Sequence, residues 1–219
     1  MIPVIPLRAL VSKTRVALLV VDVQIDFCPG GALAVKNGDA VVPRLNKVIK
    51  TAESAGVPIF YTRDWHPRNH MSFHEQGGIW PPHCVQGTPG AEFHADLLVP
   101  VKAAVISKGD NPKKEAYSGF QGTNLAKRLK AMGVDEVFIG GLTTDYCVKE
   151  SSLDALHDGF IVDVITDCTR AVNVRPGDGR RALQTARKAG ARLTTSKAAM
   201  KRLAGAQHYS HHPDLSGQS

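Results

Sequence analysis

The stretch EVFIGGLTTDYCVKESSLDALHDGFIVDVITD, residues 136–167, indicates how this chain folds. It begins with a short apolar run, passes through a polar turn into a segment with helical spacing, and reaches a glycine before a second apolar run. Apolar runs without alternation are typical of strands that are covered on both faces. The stretch therefore predicts a strand, a helix and a second, parallel strand.

The same order recurs along the chain. Further apolar runs are RVALLVVD (15–22), VPIFYTRD (57–64), AAVISKG (103–109) and ARLTTS (191–196). Four glycines close helical segments just before a strand, where a left-handed residue is expected: Gly56, Gly133, Gly159 and Gly190. We predict one α/β domain over residues 1–219, with three α/β/α layers around a doubly wound, mainly parallel, six-stranded sheet of Rossmann type.

Two stripes of apolar residues at helical spacing support the predicted helices. The first comprises Val42, Leu45, Val48, Ile49 and Ala52, and the second comprises Leu125, Leu129 and Met132. A third stripe comprises Val148, Ala155 and Leu156. We expect these stripes to cover the faces of the sheet.

Composition excludes several classes of function. The net charge is +7, but the basic residues are scattered in short pairs, which argues against nucleic-acid binding. The N-terminal MIPVIPLRAL is too broken for a signal peptide, and no apolar run is long enough to span a membrane. The four cysteines are widely spaced, which favours a reduced, cytoplasmic setting.

Two segments depart from the α/β rhythm. Residues 66–100 contain five prolines and five histidines, and such a long loop in a compact domain is usually functional. The tail from about 206 to 219 has the composition of a flexible terminus.

Chemically active side chains follow several predicted strands. They are Asp22 after the first strand, Asp64 and His66 after the second, Lys108 after the third and Cys147 after the fourth. In the common order 3-2-1-4-5-6, the first and fourth strands are neighbours, so Asp22 and Cys147 should approach each other, with Lys108 on the same rim. Singly, these residues more often serve as turn, surface and core residues. Together they predict a covalent hydrolase.

The neighbourhood of the cysteine strengthens that hypothesis. Cys147 follows polar turn residues at the start of a predicted helix, with Asp145 as a candidate N-cap, and this position favours a thiolate.

A metal site is a separate prediction. Asp64 and His66 are two residues apart, which places both side chains on one side of an extended segment, and His83 is a third candidate ligand. His70 and Cys84 are rival ligands. One carboxylate and two imidazoles suit zinc, manganese or iron.

Five segments, in order, carry a family resemblance. They are VVDVQIDFCPGGALAV (20–35), TRDWHPRNHMSF (62–73), WPPHCVQGTPGAEF (80–93), KGDNPKKEAYSGFQG (108–122) and GGLTTDYCV (140–148). They resemble the signature segments of nicotinamidases, also called pyrazinamidases, within the isochorismatase-like cysteine hydrolases. The resemblance extends from about Arg15 to Ser196.

The resemblance implies roles for individual residues. Asp22, Lys108 and Cys147 would form the catalytic triad. Asp64, His66 and His83 would bind one divalent metal, zinc being our first expectation and manganese or iron the alternatives. The amides of Thr143 and Cys147 would form the oxyanion hole, and the Leu142–Thr143 peptide would be cis. The substrate would contact Phe27, Leu33, Trp80, Tyr117, Leu142 and Tyr146.

The implied reaction converts nicotinamide to nicotinic acid and ammonia through a cysteine thioester, in NAD salvage, with pyrazinamide as a further substrate. Two alternatives remain: another hydrolase of the superfamily, such as an isochorismatase or a carbamoyl-amide hydrolase, and a non-catalytic metal- or nucleotide-binding module. A small molecule is the expected partner, and self-assembly into a homo-oligomer is left open.

Overall fold

A computed structural model of the chain describes residues 14–101 and 103–206. Their core is a parallel six-stranded sheet with the order β3-β2-β1-β4-β5-β6. The strands are β1 (Val16–Val21), β2 (Ile59–Asp64), β3 (Ala104–Lys108), β4 (Glu136–Leu142), β5 (Ile161–Arg170) and β6 (Arg192–Thr194). The predicted strand order is confirmed, and β1 and β4 are neighbours at its centre.

Helices cover both faces of the sheet. They are α1 (Val42–Ser54), α2 (Leu125–Ala131), α3 (Lys149–His157), α4 (Asp178–Lys188) and α5 (Ser196–Ala204). The side chains of β1 alternate between two cores: Leu18 and Val20 join the core beneath α1 and α5, while Leu19 and Val21 join the core beneath α2 and α3. The result is the expected arrangement of three layers.

The predicted helix ends are confirmed. Gly56, Gly133, Gly159 and Gly190 have φ values of 66°, 66°, 92° and 117°. These values lie in the left-handed region, which glycine adopts without a steric penalty.

Two predictions about the strands were wrong in detail. β6 has only three residues and is partly exposed, and on β3 the Val105 side chain faces solvent. Both are edge strands, so neither is covered on every side as a continuous apolar run suggested. The C-terminal helix α5 was not anticipated from the sequence, although its Ala199 and Leu203 are fully buried.

The long segment between β2 and β3 contains two short 3-10 turns and no strand or α-helix among its described residues. Isolated bridges fix its path: His66 pairs with Val85, and Phe73 pairs with Trp80. Within residues 14–101 and 103–206, no helix is long and apolar enough to cross a membrane. Most of the predicted flexible tail, and the N-terminal residues 1–13, lie outside the described part of the chain.

Candidate active site

The strand ends bring together the three predicted catalytic side chains. Lys108 Nζ, at the end of β3, lies 2.8 Å from Asp22 Oδ2 and 3.5 Å from Cys147 Sγ. All three side chains are buried. The sheet order is responsible, because β1 lies between β2 and β4 and directs Asp22 toward both neighbours.

The two carboxylate oxygens of Asp22 make different contacts. Its Oδ1 accepts a 2.6 Å hydrogen bond from Thr62 Oγ1 on β2. Its Oδ2 is fully buried and, although it forms an ion pair with Lys108, accepts no hydrogen bond of good geometry from the described residues. Beside its ion pair with Lys108, this oxygen can still accept a proton from a donor such as a thiol. Thr62 was missed from the sequence, because a threonine within a strand usually signals only β propensity.

Cys147 stands on a tight turn at the end of β4. The Leu142–Thr143 peptide is cis, and a π-helical turn, Thr144–Val148, precedes α3. The N–H groups of Tyr146 and Val148, on either side of the cysteine, donate to the Thr143 carbonyl at 3.2 and 3.0 Å. The turn therefore presents the cysteine at the carboxyl edge of the sheet.

Gly141 permits the close approach that precedes this turn. It has φ 131°, and a Cβ at this position would lie 2.0 Å from the Val21 carbonyl oxygen. The neighbouring ends of β1 and β4 can therefore meet only with glycine here.

Asp145 does not act as the predicted N-cap. Its two oxygens accept hydrogen bonds from the N–H groups of Val172 and Asn173, at 2.9 and 2.8 Å. Because these residues follow β5, Asp145 instead fixes the loop that brings Val172 to the pocket.

The resting charge of the sulfur also differs from expectation. Burial raises the pKa of Cys147 well above its usual value, and the lowering effect of Lys108 does not compensate. Burial alone would lower the pKa of Lys108, but the carboxylates of Asp22 and Asp64 outweigh this effect and raise it. Burial thus favours the thiol form of Cys147 and opposes a thiolate formed in advance, while the ammonium of Lys108 acts in the opposite direction.

Asp64, His66 and His83 form a set of potential metal ligands beside the triad. Their ligand atoms lie within 4.8 Å of one another, and all three residues are buried. His66 Nδ1 lies 2.9 Å from the Gly109 carbonyl and His83 Nδ1 lies 2.8 Å from the Pro81 carbonyl. A carbonyl can only accept, so each Nδ1 carries the proton and each Nε2 is free to bind a metal. The donor set therefore fits a divalent cation.

The two rival ligands, His70 and Cys84, contact other groups. His70 Nδ1 lies 2.7 Å from Ser72 Oγ, and its Nε2 lies 3.0 Å from the Lys114 carbonyl. The Cys84 sulfur lies 4.0 Å from the Gly90 carbonyl, and burial raises the pKa of this thiol well above its usual value. Neither residue joins the ligand set.

A small pocket, partly open to solvent, lies over the cysteine and the potential metal ligands. Trp80 Nε1 donates a 3.0 Å hydrogen bond to Tyr117 Oη, and both rings contact Tyr146, which gives the pocket an aromatic wall. Five of the six residues predicted to contact substrate line it: Phe27, Leu33, Trp80, Tyr117 and Tyr146.

Leu142, the sixth predicted contact, does not line the pocket. It is fully buried and packs in the core beneath α1 and α5, because it belongs to β4 and precedes the turn. Lining residues that sequence reasoning missed include Ser72, Glu115, Ala116 and Val172. Ser72, Glu115 and Ala116 lie within the quoted signature segments, but only the folded loops bring them to the pocket with Val172.

Comparison with known proteins agrees with this geometry. The model of the isochorismatase domain matches residues 16–198. The chain belongs to the isochorismatase family. This isochorismatase-family chain is 44% identical to the nicotinamidase of Escherichia coli, over 82% of the chain and 94% of that protein. It is 42% identical to the nicotinamidase/pyrazinamidase of Mycobacterium tuberculosis, over 72% of the chain and 87% of that protein.

One solved structure is similar to this chain over nearly the whole length of the solved protein. The pyrazinamidase of Pyrococcus horikoshii in complex with zinc superimposes with a TM-score of 0.79 at 49% identity. The match covers 83% of this chain and 99% of that one. The isochorismatase-like fold predicted from the sequence is therefore confirmed.

Proposed function

We propose that this chain is a nicotinamidase, which hydrolyses nicotinamide to nicotinic acid and ammonia in NAD salvage and also hydrolyses pyrazinamide. The observation that carries the proposal is the position of Cys147, at the base of an aromatic pocket and beside the Asp64, His66 and His83 set. The similarity to nicotinamidases over most of the chain supports it.

The chemistry of the pocket favours a neutral aromatic amide. Its wall consists of tryptophan and tyrosine rings, which suit a flat heteroaromatic ring. The described lining residues include the acidic Asp64 and Glu115 but no lysine or arginine. The ammonium near the cysteine, that of Lys108, is already paired with Asp22 and Asp64, so a substrate that carries two carboxylates, such as isochorismate, is disfavoured.

In the first half-reaction, Asp22 removes the proton from the Cys147 thiol, and the sulfur attacks the amide carbon. The open Oδ2 of Asp22 supports this role, as does Lys108, which lies within reach of both groups. The amides of Thr143 and Cys147 would bind the oxyanion, and one such donor contributes on the order of 3 kcal/mol.

Asp22 then returns the proton to the departing nitrogen, so that ammonia leaves and a thioester remains. Water hydrolyses the thioester, with Asp22 again as the base, and regenerates the thiol. Covalent catalysis divides one difficult amide hydrolysis into two easier steps. The raised pKa of Cys147 makes the carboxylate base necessary, because burial disfavours a free thiolate.

Asp64, His66 and His83 would hold one divalent metal, for which we propose zinc. The ion would supply a Lewis-acid contact for the ring nitrogen of the substrate. The protein would contribute orientation: the Gly109 and Pro81 carbonyls hold the two imidazoles with Nε2 toward the ion. We further propose a cytoplasmic location, which the four free, buried cysteines support.

The test is release of ammonia from nicotinamide by metal-replete protein, compared with Cys147→Ala. We expect turnover by the wild type and none by the variant, with the same melting temperature. Residual turnover by Cys147→Ala would exclude the thioester route. A wild-type protein that binds metal but releases no ammonia from nicotinamide would favour one of the two alternatives, a hydrolase of another substrate or a non-catalytic module.

A further inference from the structure

Asp64, the last residue of β2, lies beyond the point where β1 stops pairing with β2. β1 pairs with β2 as far as Val21 and Thr62, and the Asp22 N–H still donates to the Thr62 carbonyl at 3.1 Å. At Asp22 the chain adopts φ 47° and leaves the sheet. The N–H and C=O of Asp64 on this side therefore have no strand to pair with, although the residue is buried.

The side chain of Gln24 takes the place of that strand. Its Nε2 donates to the Asp64 carbonyl at 2.8 Å, and its Oε1 accepts from the Asp64 N–H at 2.8 Å. The second hydrogen on Nε2 is donated to the Ala91 carbonyl, also at 2.8 Å. Gln24 is fully buried. A side-chain amide thus pairs with the backbone of Asp64 as a neighbouring peptide group would.

We infer that Gln24 is a positioning residue for the metal site, which it serves by fixing the backbone of the ligand Asp64. The inference rests on the metal site given under the proposed function. The orientation of a carboxylate ligand depends on the backbone that carries it, and the loss of such supporting contacts typically weakens metal binding about 10–100-fold. Gln24 itself contacts Asp64 only through the main chain.

Two substitutions separate this role from a general effect on folding. Gln24→Glu keeps the shape but replaces the Nε2 donor with an oxygen, which faces the Asp64 and Ala91 carbonyls. Gln24→Met keeps the length without a polar group or a buried charge. Either change disrupts the pairing with the Asp64 backbone.

Asn46 offers a matched control. Its Nδ2 donates to the Asp96 carbonyl at 2.7 Å, and its Oδ1 accepts from the Leu98 N–H at 2.9 Å. It therefore makes the same type of amide-to-backbone clamp, but on residues outside the ligand set. Asn46→Asp removes the same kind of donor as Gln24→Glu.

The measurements are the zinc dissociation constant, from competition with a chelator, the visible spectrum of cobalt-substituted protein, and the melting temperature of metal-free protein. We expect both Gln24 variants to bind zinc about tenfold or more weakly and to show an altered cobalt spectrum, whereas Asn46→Asp matches the wild type. Wild-type affinity and spectrum in folded Gln24→Met overturn the inference. The same is true if Asn46→Asp weakens zinc binding equally.

The proposed function is tested separately, by ammonia release from the wild type. If the wild type hydrolyses nicotinamide but binds no zinc or cobalt, the inference fails and the hydrolase assignment stands. If it binds metal without hydrolysis, only the hydrolase assignment fails.

Discussion

Thr62 donates a 2.6 Å hydrogen bond to Oδ1 of Asp22, and this contact determines which oxygen of the carboxylate remains open. The other oxygen, Oδ2, lies on the side of Lys108 and accepts no well-formed hydrogen bond from the described residues. The hydrogen bond fixes the carboxylate so that Oδ2, paired only with the Lys108 ammonium among the described residues, has a defined direction for accepting a proton. Thr62 is itself fully buried, so water cannot replace its hydroxyl.

Thr62→Val should therefore impair catalysis without impairing binding. Valine has nearly the same shape but no hydroxyl, so Asp22 would lose the hydrogen bond that orients it. We expect kcat to fall about tenfold, which corresponds to about 1.4 kcal/mol, with KM for nicotinamide little changed. Steady-state ammonia release is the measurement. Thr62→Ser, which retains the hydroxyl, should restore most of the rate, and an equal loss in the two variants would contradict the explanation.

Tyr117→Phe should weaken substrate binding. The change removes the 3.0 Å hydrogen bond from Trp80 Nε1, which joins two loops across the pocket wall. We expect KM for nicotinamide to rise about 3- to 10-fold, consistent with the loss of about 1 kcal/mol from one neutral hydrogen bond. Tyr61→Phe is a control, since Tyr61 Oη donates to the Leu98 carbonyl at 2.8 Å away from the pocket. A similar rise in KM in both variants would argue against a role for the Trp80–Tyr117 contact.

His83→Ala should remove the metal. In the proposed metal site His83 is one of three ligands, and the two remaining ligands would be too few for tight binding of zinc. We expect metal content after dialysis to fall from about one ion per chain to near zero, measured by elemental analysis. His74→Ala, at an exposed histidine outside the ligand set, should retain the metal. Stoichiometric metal in His83→Ala would return His70 and Cys84 to consideration.

Metal removal should also reveal the role of the ion in substrate choice. If the ion orients the ring nitrogen, chelation should raise KM for nicotinamide but leave benzamide, which lacks that nitrogen, a poor substrate in either state. Parallel assays of the two amides before and after chelation provide the measurement. Equal turnover of benzamide and nicotinamide by metal-replete protein would exclude this role.

A carboxylate pair at the opposite end of the sheet should make stability depend on pH. Glu136 and Asp163 are buried and form ion pairs with Arg192 and Arg202. Burial, together with a hydrogen bond to Asp163, raises the pKa of Glu136 from its usual 4.5 to about 7. Between these values the folded protein binds more protons than the unfolded chain, so its stability falls as pH rises.

We therefore expect the contribution of Glu136 to the free energy of unfolding to decline by about 1–3 kcal/mol between pH 4.5 and pH 7.5. The measurement is urea unfolding at several pH values, compared with Glu136→Gln, which cannot ionise. The difference in pH dependence between the two proteins isolates this residue. Parallel curves for the two proteins over this range would show that Glu136 does not titrate there.

Sequence reasoning succeeded where a local pattern reflects a local cause. The stripe of α1 and the left-handed glycines before the strands follow from helix periodicity and from backbone sterics, which neighbouring residues determine. Sequence reasoning was less accurate at the edge of the sheet, at the C-terminal helix and at the turn after β4. The shortness of β6, the presence of α5 and the burial of Leu142 depend on which distant segments cover them. A short stretch of sequence contains no information about those distant segments.

By itself the sequence determined the order of the strands and helices as far as β6 and the residue types at the strand ends, because periodicity and turn chemistry are local properties of the chain. Only the tertiary structure decided which oxygen of Asp22 accepts the hydrogen bond from Thr62, which histidines have a free nitrogen, and that burial raises the pKa of Cys147. Most of these properties depend on burial and on hydrogen bonds between residues 40 or more positions apart, such as Thr62 with Asp22 and His66 with Gly109, whereas His83 is oriented by Pro81, two positions before it. Such long-range contacts exist only after the sheet has assembled.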